Sequence, residues 1–222
     1  MARLWCLVPL HKALRRIAAT FSALAALSSA SLADGRPGDF DFYVLALSWS
    51  PSYCETASRP DPEQCDSGDK GFVVHGLWPQ YERGYPDYCE NTPRLPRSIV
   101  ASIADLMPAS LADYEWRKHG TCAGMRPERY FDLVRRAYQR VEIPDVYEPL
   151  ENDMRASPQL VEQSFLAVNP GMSERGIAIT CGGRDGAVEV RICLTRRLDF
   201  RRCTEVDADA CRARTIEMPA VD

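Results

Sequence analysis

Hydrophobic residues along this chain fall into short alternating runs at both ends, with longer helical periods between them. FDFYVLALSWS, Phe40 to Ser50, interleaves aromatic and aliphatic side chains and stops at Pro51, which predicts a buried strand. FVVHGLWPQ, Phe72 to Gln80, is a β-branched run interrupted by Gly76 and Pro79, predicting a second strand with His75 near its end. Towards the C-terminus GIAITC (Gly176 to Cys181) and AVEVRICLTR (Ala187 to Arg196) predict two more strands, the latter alternating strictly enough to be half buried.

Between these runs the period changes to that of a helix over Arg97 to Leu106, Leu111 to His119 and Glu128 to Val141, with breaks at Pro108 and Pro127. Ser157-Pro158 supplies an N-cap and a first-turn proline for a helix through Val168, which Asn169-Pro170-Gly171 ends. Cys54 to Gly71, rich in Pro, Asp, Ser and Gly, predicts a loop closed by Cys54 and Cys65. Tyr81 to Pro96 predicts an irregular aromatic surface loop, and the tail from Asp199 is polar, held by Cys203 and Cys211. Strands at both ends and helices between them predict an α+β domain, a mainly antiparallel central sheet with several helices packed on it.

The first 33 residues depart from this pattern. Lys12, Arg15 and Arg16 precede the apolar stretch Ile17 to Leu27, too short to span a bilayer, and Ser31-Leu32-Ala33 offers small residues for cleavage. The expectation is a cleaved signal peptide over 1–33 and a single catalytic domain over 34–222, exported to the periplasm or secreted, with no membrane attachment afterwards. A short membrane anchor is the competing reading, and Arg15-Arg16 sits in no complete twin-arginine motif. Cleavage would remove four basic residues and no acidic ones. That leaves 23 Lys and Arg against 31 Asp and Glu, a net charge of −8. It would also remove Cys6 and His11, leaving eight cysteines and two histidines. Eight cysteines in an exported chain imply four disulfides. No pair has the gap of a zinc knuckle.

The two remaining histidines, His75 and His119, each sit in a distinctive segment. In YEWRKHGTCAG (Tyr114 to Gly124) a helix to His119 would place Glu115, Lys118 and His119 at i, i+3 and i+4, on one face. A carboxylate, an ammonium and an imidazole together can exchange a proton near neutral pH beside a held anion. Two histidines acting as base and acid suffice for phosphoryl transfer on RNA, whose 2′-hydroxyl is an internal nucleophile. DNA lacks that group. A lone histidine is ordinarily structural, and Glu115 with Lys118 could be a plain exposed ion pair worth about 0.2–0.5 kcal/mol. Glu115 and His119 lack the second helical histidine of a zinc protease.

FVVHGLWPQ and YEWRKHGTC resemble the two signature segments of the ribonuclease T2 family, and the order of motifs and cysteines extends the similarity across nearly all of residues 34–222. The resemblance implies an α+β fold and cleavage of single-stranded RNA through a 2′,3′-cyclic phosphate, with no metal and no other cofactor, by a monomer. On that pattern His119 is the base, His75 the acid, and Lys118 and Glu115 flank the phosphate. Trp78 offers a stacking face for a base, with core packing as its alternative role. Two positions depart from the family. Tyr114 stands where relatives often have a third histidine, so a phosphate contact there would carry no charge. Gln80 stands where some have an Asp that helps choose the base. The resemblance also implies the pairs Cys89–Cys122, Cys181–Cys211 and Cys193–Cys203.

A net charge of −8 opposes the basic footprint of a polyanion binder, implying that few nucleotides are gripped, weakly and with salt sensitivity. Two rival readings stand beside the ribonuclease. One is a catalytically inactive, disulfide-rich secreted binding protein using the loop Tyr81 to Tyr88. The other is a metal-dependent phosphodiesterase.

Overall fold

The alternating run near the N-terminus becomes strand β1 (Phe42–Trp49), and the following motif becomes β2 (Phe72–Gln80), in a computed structural model that describes residues 35–66, 70–181 and 188–221. The signal-peptide expectation for residues 1–33 and the start of the last predicted strand at Ala187 lie outside the described residues. With β4 (Ile177–Thr180) and β5 (Glu189–Leu194), these strands form a four-stranded sheet in the order β2-β1-β5-β4, each neighbouring pair antiparallel. β2 is an edge strand. Two three-residue strands, β3 (Met154–Ala156) and β6 (Ile216–Met218), pair separately.

Because side chains alternate across a strand, the two faces of β1 have different partners. Tyr43, Leu45, Leu47 and Trp49 enter the main core, while Phe42 and Val44 join a smaller cluster with Ala178, Cys193, Cys203 and Val206. The main core is closed by α3 (Arg97–Ile103), α4 (Ala109–Lys118), α5 (Pro127–Gln139) and α6 (Pro158–Val168), through residues such as Ile103, Trp116, Tyr130 and Phe165. Leu45 is fully buried there, so cutting it to Ala would cost ~2–5 kcal/mol.

The predicted loop after β1 instead holds two short helices, α1 (Ser50–Thr56) and α2 (Pro62–Cys65). In both, a proline (Pro51, read as ending the first strand, and Pro62) occupies the first turn, where its missing N–H and fixed φ cost nothing. The resulting turn is useful to α4, which has no side-chain cap of its own. Glu63 of α2 accepts the Ala109 backbone N–H at 2.6 Å, so a neighbouring element satisfies one of the helix's orphan donors. A seventh helix, α7 (Thr204–Ala208), lies in the polar tail. Four disulfides join Cys54–Cys65, Cys89–Cys122, Cys181–Cys211 and Cys193–Cys203. No helix among the described residues is long and apolar enough to cross a membrane.

Candidate active site

β2 runs unbroken past Gly76 and Pro79, so His75 lies in mid-strand rather than near its end. In the pairing with β1, Ala46 faces Gly76 and Leu47 faces Val74. His75 is therefore the extra residue of a β-bulge, a device that re-aims a side chain out of the regular pleat. Its side chain is 35% exposed. The neighbouring Gly76 has no alternative: a Cβ there would collide with the Glu115 carboxylate and the Trp78 indole nitrogen.

Two carboxylates hold the His75 ring. Its Nδ1 is 2.5 Å from Glu189 Oε1, and its Nε2 is 3.7 Å from Glu115 Oε1. Burial alone would lower the His75 pKa, but the Glu189 hydrogen bond and the charges of Glu189 and Glu115 outweigh it and raise the value above 6.5. Burial likewise opposes charge on Glu189, yet His75 and Arg191, whose Nε is 2.7 Å from Oε2, bring it down to about 2. Glu115 differs. It is 1% exposed, and burial lifts its carboxyl to about 7 despite opposing contributions from His75, the Trp78 N–H and Lys118. The Trp78 indole donates to Glu115 Oε2 at 2.6 Å.

His119 follows the last residue of α4 and opens a 3₁₀ turn, Gly120–Ala123. A Cβ at Gly120 would strike the Trp116 ring, so the glycine lets the chain turn tightly against the helix. His119 is 4% exposed, and among the described residues its buried Nδ1 has no hydrogen-bond partner. Burial first, then the positive charges of Lys118 and His75, lower its pKa to about 3. The ring centroids of His75 and His119 each lie 5.3 Å from that of Trp78. The site thus pairs an imidazole biased towards its cation with one biased towards neutrality, both packed on the same indole ring.

Lys118 shares the end of α4 with Glu115 but turns to aromatic rings, its Nζ 5.7 Å from the Tyr114 centroid and 5.9 Å from that of Tyr85. The bland reading of Glu115 with Lys118 as an exposed ion pair therefore fails, since Glu115 is buried and faces His75 and Trp78. Tyr85 also approaches His119, with ring centroids 5.8 Å apart. Tyr114 is exposed beside Lys118. Trp78 packs on the smaller cluster, the core-packing alternative, and in addition its N–H serves Glu115.

The geometry gathers His75, Trp78, Glu115, Lys118, His119 and Tyr114, and Gln80 follows two residues after Trp78 on the same strand. Gln80 is buried at the end of β2, where its backbone carbonyl accepts from Asp41 at 2.8 Å. Two members of the site escaped the sequence reading, Glu189 and Tyr85. Tyr85 stood within the aromatic loop without a role. Glu189 occupied a polar position of an alternating strand, and its one signal was a carboxylate amid a run of hydrophobic residues. No group of three or more His, Cys, Asp or Glu among the described residues is arranged to hold a metal ion.

Comparison with known proteins agrees with this architecture. Over 119 residues the chain is 46% identical to a ribonuclease of Aeromonas hydrophila, covering 53% of this chain and 54% of that one. A probable ribonuclease of Haemophilus influenzae is 33% identical over 121 residues, covering 47% and 44%. The chain thus spans about half the length of the curated relatives it matches. Among solved structures, trichomaglin, described as an S-like ribonuclease, superposes with a TM-score of 0.65 at 19% identity, covering 83% of this chain and all of that one. An RNase-related protein from Calystegia sepium gives 0.64 at 20%, covering 82% and 98%. The pattern of the Ribonuclease T2 family matches residues 40–203, a span that contains both histidine segments and Glu189, and the chain belongs to that family.

Proposed function

We propose that the protein is an exported endoribonuclease that cleaves single-stranded RNA by transphosphorylation between two histidines. The observation that carries this reading is that His75 and His119 both pack on Trp78 in opposite surroundings, His75 against the Glu189 and Glu115 carboxylates and His119 buried with its Nδ1 unpartnered among the described residues. Neutral His119 takes the proton of the 2′-hydroxyl, whose oxygen attacks the adjacent phosphorus. The P–O5′ bond breaks as His75, held as imidazolium by Glu189 and Glu115, gives its Nε2 proton to the departing oxygen. A 2′,3′-cyclic phosphate and a free 5′-hydroxyl result, and the two histidines have exchanged protonation states. Water then opens the cyclic phosphate by the reverse proton transfers. Lys118 stands near enough to His119 to offset charge on the phosphate. Neither step requires a metal, because the first nucleophile is part of the substrate and the second, water, gives its proton to the now neutral His75.

His119 is enclosed by Trp78 and Tyr85, so the reaction requires Tyr85 to shift or to accept a stacked base as the nucleotide enters. Tyr85 and Tyr88 are 49% and 46% exposed, which favours a second reading, a binding protein that uses this aromatic loop. The resolving experiment incubates residues 34–222 with single-stranded RNA in EDTA, beside His75→Ala and His119→Ala. Cleavage that disappears in both variants, with a DNA of the same sequence left intact, is expected. Absence of cleavage under every condition would favour the binding protein. Activity that appears solely with added divalent metal would favour a phosphodiesterase. The reading places the working protein, a monomer free of membrane, in the periplasm or outside the cell, with residues 1–33 removed on export.

A further inference from the structure

Glu189 is set where few carboxylates are tolerated, and its carboxylate is met by three polar side chains, those of His75, Ser48 and Arg191. It is 7% exposed, in β5 directly opposite Ser48 of β1. Its Oε1 meets His75 Nδ1 at 2.5 Å and Ser48 Oγ at 3.4 Å, and its Oε2 meets Arg191 Nε at 2.7 Å. The Arg191 guanidinium lies 5.3 Å from the Trp78 ring centroid, so both carboxylate oxygens are engaged and the side chain cannot swing away. A buried carboxylate without partners would be costly. Here the sheet holds it against a histidine that the bulge has turned towards it.

We propose that Glu189 is the positioning residue of His75: it takes the Nδ1 hydrogen, fixes the ring's orientation and tautomer, and so leaves Nε2 as the nitrogen that delivers the proton to substrate. This rests on the reading of His75 as the acid. Glu189 touches neither the phosphate nor the leaving oxygen. Its effect passes through the ring, as an orienting carboxylate acts behind a histidine whose second nitrogen does the chemistry. When Nε2 gives up its proton, Nδ1 keeps its own, and the neutral ring is left in the one tautomer that can accept a proton back at Nε2 during hydrolysis. The charged or titratable groups around the ring are Glu189 and Arg191 from β5, Glu115 from α4, and His119, which also packs on Trp78. Among the described residues Glu189 alone contacts Nδ1.

The test compares Glu189→Gln, which keeps shape and an acceptor but not charge, with Glu189→Asp, which keeps charge. Both variants are first checked for an unchanged circular-dichroism spectrum and cooperative melting. NMR titration of the His75 ring is expected to show its midpoint falling in Glu189→Gln and largely restored in Glu189→Asp. With an RNA dinucleotide, Glu189→Gln should lose at least about tenfold in kcat, a part of what a general acid supplies, with KM little changed and the alkaline limb of the pH profile moved down. With a nucleoside 3′-phosphodiester carrying a p-nitrophenolate leaving group, which departs without a proton, the loss should nearly vanish. Equal losses on the two substrates, or an unmoved His75 titration, would overturn the proposal. Should the wild-type protein cleave neither substrate, the ribonuclease reading fails, and the His75 titration alone then decides the pairing. If Glu189→Gln fails to fold, the proposal is judged on Glu189→Asp, which must keep both the His75 midpoint and the leaving-group dependence of the wild type.

Discussion

The Trp78 indole nitrogen and the Glu115 carboxylate meet at 2.6 Å, so the ring that both histidines pack against is tied to the most buried acid of the site. That acid carries a stability cost. Burial raises the Glu115 pKa from 4.5 to about 7, so between those values the folded state holds a proton that the unfolded state has released. Stability from this group is therefore lost as pH rises through that window. Glu115→Gln cannot titrate and still accepts the indole hydrogen. Relative to wild type it should gain stability from pH 4.5 to 7, on the order of 1 kcal/mol or more, since each tenfold change in a protonation equilibrium is worth ~1.4 kcal/mol, while cleavage falls. Urea unfolding at several pH values across the window measures this, and a flat difference would mean that the carboxyl is charged there without penalty.

On the proposed mechanism the two histidines should set the limbs of the pH profile. kcat/KM reports the free enzyme, so it should fall on the acid side near the His119 value of about 3 and on the alkaline side above 6.5, where the raised His75 loses its proton. The acid limb has two physical causes that mutation can separate. Tyr85→Ala relieves burial of His119, and Lys118→Met removes a neighbouring positive charge. Each should move the acid limb to higher pH, because each makes the His119 cation less unfavourable. A limb that stays in place in both variants would assign it to some other group.

The Cys89–Cys122 bridge ties the loop beyond β2 to the turn after His119, with Cα atoms 5.0 Å apart. The Tyr88 N–H adds a 2.8 Å bond to the Lys118 carbonyl alongside it. Closing the 33-residue separation is worth about 3–4 kcal/mol by chain entropy. The double variant Cys89→Ala, Cys122→Ala should therefore melt roughly 6–15 °C lower. Below its own melting range it should also lose kcat, since His119 and Lys118 are no longer clamped from the loop side. A variant with lowered Tm and full kcat would show that the bridge serves the scaffold alone.

The sheet was legible because the alternation in Phe42–Trp49 and Phe72–Gln80 is a local property, readable one strand at a time. Ser157 and Pro158 likewise marked α6 through chemistry confined to a single turn, the Ser157 Oγ accepting the Leu160 N–H at 3.1 Å. What could not be read depended on partners distant in sequence. The bulge at His75 is a mismatch of register with β1, invisible in β2 alone. Glu189 lies 114 residues from His75, and its role arises only once β5 has docked beside β1. Short helices after prolines were missed because a first-turn proline and a terminating proline look the same in sequence. The three-residue strands β3 and β6 are too brief to show any period.

Lys118 stands against the charge of the whole protein. Residues 34–222 have a net charge of −8, so on the proposed function long-range attraction would not draw RNA in, and the grip would come from a few local cations such as Lys118. For single strands the slope of log K against log salt is about −0.7 per phosphate neutralised. With about two such contacts it should be near −1.4, far shallower than that of a basic nuclease with many. Lys118→Met should flatten the slope by about 0.7 and lower kcat on the order of 100-fold, the usual consequence of removing a donor aimed at developing charge. Measuring cleavage of one short RNA from low to moderate salt gives both quantities. A variant that loses kcat yet keeps the wild-type slope would place Lys118 beside His119 as a tuner of its proton and not as a phosphate contact.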